Sequence, residues 1–278
     1  MPAAAETLAE TTLSQAQLSA WHERGFHVHG KLFGDEELEA LRAACERVID
    51  GAYDPGSEPD GRYWKPGGDP LGVRKIDNAW KGSRIVAAAV TSERLGRIAA
   101  QLLDAPGIRL WHDQIAYKPP GGGKVVTWHQ DWGYWQVIRE CQTVTCWIAL
   151  DDVTPDQGPM EFLAGSHKLG LYPLPKGCTG DDEQRPTLPP GLNLPCVPVV
   201  LKAGEVSFHH GLTFHGSGKN LSARWRKGLV SHVMSSACTY RSHERGHPNE
   251  PWMRKYAVHP QPGEAWHGPQ FPMLWPRS

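Results

Sequence analysis

The strongest constraint on this chain is a change of hydrophobic period at Pro106. Upstream, apolar residues recur every three or four positions, which places them on one face of a helix. In DEELEALRAACERVIDG the residues Leu38, Leu41, Cys45 and Val48 follow this spacing. Leu95, Ile98 and Leu102 repeat it in SERLGRIAAQLLD, behind a capping Ser92. A further helix is expected in SQAQLSAWHERG, where Ser14 and Gln17 have capping-box spacing and Gly25 stops the run. Between the last two helices lies a Gly/Pro-rich loop, about Tyr53 to Gly72. Downstream of Pro106 the period falls to two, the signature of half-buried strands. GIRLWHDQIAYK alternates, and so does TVTCWIALDDV, with Val144, Cys146, Ile148 and Leu150 on one face. VPVVLKAGEVSFHHG reads as two short strands around a turn at Ala203-Gly204, and RWRKGLVSHVM as a closing strand. The pattern predicts one domain over 1–278: a helical N-terminal layer (1–105), a mainly β core (106–236) and a C-terminal tail or lid (237–278). Such a core closes as an antiparallel sandwich or barrel.

Composition narrows the function classes. The 278 residues carry a formal net charge of −1 and no strongly basic run, which gives no electrostatic case for nucleic acid or an anionic membrane. No stretch approaches the roughly 18 apolar residues of a membrane helix. The opening MPAAAETLAETTLSQ lacks the basic and apolar regions of a signal peptide. None of the six cysteines forms a CxxC pair, so buried reduced thiols and a cytoplasmic location are expected. The sequence favours neither monomer nor homodimer, and the expected partner is a small-molecule substrate.

Chemistry concentrates in TWHQDWGYW, which sets His129 and Asp131 two residues apart. In a strand, such residues point to one side and aim an imidazole and a carboxylate at one place. A second segment, FHHGLTFHGSGKNLSARWRKGLV, offers His209, His210 and His215 as further ligands. Two histidines and one carboxylate form the facial triad that leaves positions open on non-haem Fe(II). Two arginines, Arg224 and Arg226, share a strand face downstream, and either is placed to grip the far carboxylate of a keto acid bidentately.

Three stretches taken together, WHQDWGYW, VTCWIALDDVTPDQGPMEFLAGSHKLG and HGSGKNLSARWR, resemble the phytanoyl-CoA dioxygenase family. The resemblance runs from about Lys75 to Met234. It implies a double-stranded β-helix, a jelly-roll or cupin-like barrel with flanking N-terminal helices. It also implies an Fe(II)- and 2-oxoglutarate-dependent dioxygenase that consumes O2. By that resemblance the metal ligands are His129, Asp131 and, as the histidine that opens H-G-S-x-x-N, His215. The 2-oxoglutarate arginine is Arg226, eleven residues further on. Ser217 is expected to add a hydroxyl to the same carboxylate, Trp147 and Trp111 to wall the pocket, and Lys75 to reach 2-oxoglutarate from the N-terminal segment.

The implied reaction releases succinate and CO2 while the oxidant removes a substrate hydrogen, most simply in hydroxylation of an unactivated C–H bond. Asp131 occupies the position that halogenating relatives leave vacant for chloride, which favours hydroxylation or a related oxidation. The alternatives are an oxygenase acting on an acyl-CoA thioester and a non-oxidative cupin-like isomerase or hydrolase, the latter having no need of Arg226 and Ser217. No basic cluster for CoA phosphates stands out beyond RSHERGH near Arg241. Trp132, Tyr134 and Trp135 sit beside the metal pair, facing a flat substrate or simply packing. The substrate class that fits best is a small molecule of natural-product or secondary metabolism.

Overall fold

The structure is a computed structural model and describes residues 10–54, 56–173, 179–180, 185–242 and 260–276. The expected helices are present as α1 (Gln15–Arg24), α2 (Asp35–Ile49) and α4 (Glu93–Leu103). Ser14 and Gln17 close the capping box of α1, and Gly25 ends it in the left-handed conformation. A helix the period does not reveal, α3 (Arg84–Val90), follows the capping Ser83. Its seven residues are too few to display a 3.6 repeat.

The alternating segments form the long central strands β4 (Ile108–Lys118), β6 (Thr143–Ala149), β10 (Glu205–His210) and β12 (Arg226–Ser235). With β1 (Phe26–Lys31), β2 (Gly61–Arg62), β3 (Arg74–Asp77) and β13 (Met273–Trp275) they build one sheet. Its order is β1-β10-β6-β12-β4-β3-β2, with β13 against β4. The second sheet contains β5 (Val125–His129), β7 (Met160–Leu163), β8 (Thr179–Gly180), β9 (Cys196–Val199) and β11 (His215–Ser217). Its order is β8-β5-β11-β7-β9, and every pairing in both sheets is antiparallel. This is the double-stranded β-helix.

Alternation decides which side chains enter the barrel. Val144, Cys146 and Ile148 of β6 join Leu38, Leu41, Val48, Leu95 and Ile98 in one core between sheet and helices. The intervening Thr145 and Trp147 face the barrel interior, because successive strand residues point oppositely. Every residue of β6 is buried, since helices cover one face and the second sheet the other.

Three strands, β1, β2 and β3, lie in the segment the period marks as a helical layer. They are short and sit at or near the sheet edges, where ladder hydrogen bonds rather than an apolar stripe hold them. The pair around Ala203-Gly204 is not a hairpin. There β9 pairs β7 in one sheet while β10 pairs β1 and β6 in the other, so the turn is a crossover between sheets. Local sequence encodes a turn in both cases and does not say which sheet receives each strand. The described end of the tail docks: β13 pairs β4, and Trp266 and Phe271 are buried. Most of RSHERGH lies outside the described residues, as does Cys178. The other five cysteines are free thiols, and burial pushes Cys141 and Cys238 up to about 12. Among the described residues no helix is long and apolar enough to cross a membrane.

Gly204 makes the crossover possible: its φ is +88°, and a Cβ there would lie 2.3 Å from the Phe33 carbonyl oxygen. Gly204→Ala is expected to destabilise the fold by about 1–3 kcal/mol, the cost of a strained backbone position. Denaturant unfolding checks this, and a wild-type midpoint would mean that the turn relaxes freely.

Candidate metal centre and active-site cavity

His129 is the last residue of β5, and Asp131 opens a short 3-10 turn, Asp131–Tyr134. The pair therefore straddles a strand end rather than sharing a strand face. His129 lies directly opposite His215 in the β5–β11 ladder, so backbone register brings the distant histidine beside it. His129 Nδ1 lies 2.6 Å from the Thr127 carbonyl oxygen, and His215 Nδ1 lies 3.0 Å from that of Thr213. A carbonyl only accepts, so both rings carry the proton on Nδ1 and present an Nε2 lone pair. The two Nε2 atoms sit 3.3 and 3.6 Å from Asp131 Oδ1. The ligand atoms of the three residues all lie within 4.8 Å of one another.

The other carboxylate oxygen is occupied. Thr145 Oγ1 donates to Asp131 Oδ2 at 2.5 Å, and His209 Nε2 lies 3.1 Å from the same atom. Oδ1 is thereby left for a cation. His209 sits directly opposite Thr145 in the β10–β6 ladder and acts on the carboxylate. His210 faces elsewhere, its Nδ1 accepting from the Leu212 amide at 3.1 Å. Of the three downstream histidines, His215 alone pairs with His129 as a second imidazole lone pair. Burial opposes the charge on Asp131, but the facing His215 and the bond from His209 hold its carboxyl well below the usual range. Burial, with His129 and His209 nearby, holds the His215 ring well below its ordinary value and so neutral. An ionised carboxylate and neutral imidazoles are what a divalent metal requires of its ligands, and two nitrogens with one oxygen suit ferrous iron.

A cavity of about 540 Å³ opens beside this cluster, lined among others by Lys75, Trp111, His129, Asp131, Tyr134 and Arg226. Arg226 is buried, and one of its terminal nitrogens donates to the Gly158 carbonyl. Its Nε finds no partner. Burial pushes its pKa down to about 10, which leaves the guanidinium charged at neutral pH. Arg224 is exposed and precedes β12, so the structure separates the two arginines that strand parity could not. The Trp147 ring lies 5.6 Å from the Arg226 guanidinium. It stands behind the arginine rather than among the lining residues, and Gly228 leaves it room, since a Cβ there would come within 2.2 Å of the ring.

Ser217 also stands behind the cavity wall. Its hydroxyl accepts from Lys118 Nζ at 2.7 Å, and Lys118, fully buried, lies opposite Arg226 in the β12–β4 ladder and lines the cavity. Sequence reasoning passes over Lys118, yet the alternation of β4 puts it on the inward face shared with His112. Parity likewise puts His232 of β12 on the face of Arg226. Trp111 stacks on Phe271 (ring centroids 5.5 Å apart, 7° between planes) and meets Trp266 edge-on, so the tail braces this wall. Lys75 Nζ is 3.9 Å from Asp77 and 4.9 Å from the Tyr63 ring. Tyr134 and Trp135 line the cavity. Trp132 does not line it: its indole donates to the Ile138 carbonyl at 3.0 Å.

Residues 21–228 match the family model "Phytanoyl-CoA dioxygenase (PhyH)". The chain belongs to the phytanoyl-CoA dioxygenase family. It is thereby an enzyme of the iron- and 2-oxoglutarate-dependent dioxygenase class. It is 27% identical to the peroxisomal phytanoyl-CoA dioxygenase of Rattus norvegicus over 84% of this chain and 72% of that protein. It is 29% identical to the ectoine dioxygenase of Bordetella parapertussis over 81% of this chain and 76% of the other. Among solved structures, the non-haem α-ketoglutarate-dependent carbocyclase SnoK of nogalamycin biosynthesis superposes with a TM-score of 0.71. That match has 26% identity and covers 94% of this chain and 96% of SnoK.

Thr145→Val keeps shape and removes the hydroxyl that holds Asp131 Oδ2. It is expected to weaken ferrous-ion affinity roughly 10–100-fold, the usual cost of losing a hydrogen-bonded support of a metal ligand. Anaerobic calorimetric titration measures this, and an unchanged affinity would show that His209 alone positions the carboxylate.

Proposed function

We propose that this chain hydroxylates an unactivated C–H bond of a small molecule of natural-product or secondary metabolism, coupled to release of succinate and CO2. The observation that carries the reading is the convergence of His129 Nε2, Asp131 Oδ1 and His215 Nε2 beside a cavity that also holds the buried, charged Arg226. In this reading His129, Asp131 and His215 would hold Fe(II) beside the cavity. Arg226, backed by Trp147, grips the far carboxylate of 2-oxoglutarate through its guanidinium. Lys118 and Ser217 add positive charge and a polar support at the same end, and Lys75 reaches in from β3. Iron and 2-oxoglutarate, once bound, supply with O2 the oxidant that removes a substrate hydrogen. Trp111, Tyr134 and Trp135 keep the site dry and position the substrate. Residues 1–278 act as one oxygenase domain.

The likeness to a carbocyclase favours a second outcome at the same site, oxidative ring closure. Product mass separates the two: hydroxylation adds one oxygen, and ring closure removes two hydrogens.

With Fe(II), 2-oxoglutarate and O2, the wild-type chain is expected to release succinate, and Asp131→Ala to reduce it to background. Succinate release by Asp131→Ala at the wild-type rate would remove the carboxylate from the metal site. Arg226→Ala is expected chiefly to raise the 2-oxoglutarate KM by about 100-fold, since losing one partner of a buried charge pair costs about 2–5 kcal/mol. A KM within twofold of wild type would assign that carboxylate to another residue.

A further inference from the structure

Resting on that reading of the site, we propose that Gln114 is a substrate-specificity residue and that it selects a neutral substrate carrying an amide edge, N–H beside C=O, as in a carboxamide or lactam. Gln114 lies midway along the inward face of β4, with His112 on one side and Ala116 and Lys118 on the other, and all four line the cavity. Its neighbours across the two ladders are Val230 of β12 and Asp77 of β3. Val230 is apolar and offers no hydrogen bond. Asp77 is an acceptor, yet the Gln114 carboxamide forms no hydrogen bond among the described residues. Gln114 is half-buried, and neither of its amide atoms is sealed from the cavity. The chain thus presents an uncommitted carboxamide to the cavity.

The chemistry of this group defines its ligand. A carboxamide donates from its nitrogen and accepts at its oxygen. A substrate hydroxyl engages one of the two, whereas an amide edge engages both in two parallel bonds. Asp77 also lines the cavity and adds only acceptors, which suits a second substrate N–H. Lys75 Nζ, 3.9 Å from Asp77, balances the charge of that carboxylate, which favours a neutral amide over an ammonium. 2-Oxoglutarate does not answer to Gln114, because it has no donor for the amide oxygen. Its cationic anchors, Arg226 and the facing Lys118, stand four residues further along β4, about 13 Å away at the usual strand rise. Towards the sheet edge, Tyr63 lines the same cavity and is 68% exposed, so Gln114 lies between the metal cluster and the cavity mouth. A site built to hydrogen-bond a substrate group discriminates against the analogue that lacks it.

Equilibrium dialysis of the anaerobic Fe(II)/2-oxoglutarate protein, comparing 2-naphthamide with 2-acetylnaphthalene, tests the assignment. The two probes share a flat apolar body and a carbonyl, and a methyl group replaces the NH2 in the second. Wild type is expected to prefer the naphthamide about tenfold, the worth of one buried hydrogen bond. Gln114→Met, of similar shape, should lose the preference, and Gln114→Glu, which keeps an acceptor, should retain part of it. A purely structural role would weaken both probes alike and leave their ratio intact. No naphthamide binding, no preference in wild type, or an undiminished preference in Gln114→Met each overturns the assignment. So does a 2-oxoglutarate Kd raised more than threefold in Gln114→Met, read by anaerobic calorimetry, which would place the amide on the co-substrate. Binding is read without turnover, so a chain that selects the naphthamide through Gln114 yet never forms succinate refutes the oxygenase reading alone. Succinate release without the preference refutes the role of Gln114 alone.

Discussion

A buried carboxylate governs this barrel. Asp131 is 4% exposed and ionised. An ion so placed is tolerated only when its oxygens are satisfied. The surrounding strands supply that satisfaction at Oδ2, through Thr145 from β6 and His209 from β10, while His129 from β5 and His215 from β11 aim lone pairs beside Oδ1, where a cation completes it. Since β6 and β10 belong to one sheet and β5 and β11 to the other, the carboxylate is where the two sheets meet chemically. The hydrogen bonds on Oδ2 and the open side at Oδ1 divide its two oxygens between structure and metal.

That division spreads outward. The carbonyls of Thr127 and Thr213 fix the tautomers of His129 and His215, and the Thr145 hydroxyl fixes that of His232. The two carbonyls cannot donate and the Thr145 proton is already given to Asp131, so proton positions follow from geometry. At the other end of the cavity the cationic pair Arg226 and Lys118 occupies facing positions of β12 and β4. The metal cluster and this cationic end bracket one space, which suits a ligand with a chelating head and a charged tail.

Much of this was legible in the residues. The change of period at Pro106 separates the helices that cover the sheet from the strands that form it, because the periods 3.6 and 2 are properties of local geometry. Inward positions such as Thr145 and Trp147 follow from the same alternation. The strands β1 to β3 were not legible: FHVHGK has no clean alternation, and its edge position is a matter of pairing with β10. Nor was the role of His209, which parity alone does not distinguish from a ligand. Lys118 and His232 carry no motif, and their importance arises from what lies opposite them.

By itself the sequence determined the elements, the inward faces and the residue types able to hold iron and a keto acid, since these depend on neighbours along the chain. Tertiary structure decided which sheet each strand joins, that His215 rather than His209 stands against His129, and that Arg226 rather than Arg224 is buried. It also decided that Trp147 backs the arginine. All of these are fixed by cross-strand register and by the burial of charge, and both relate residues that lie far apart in the sequence.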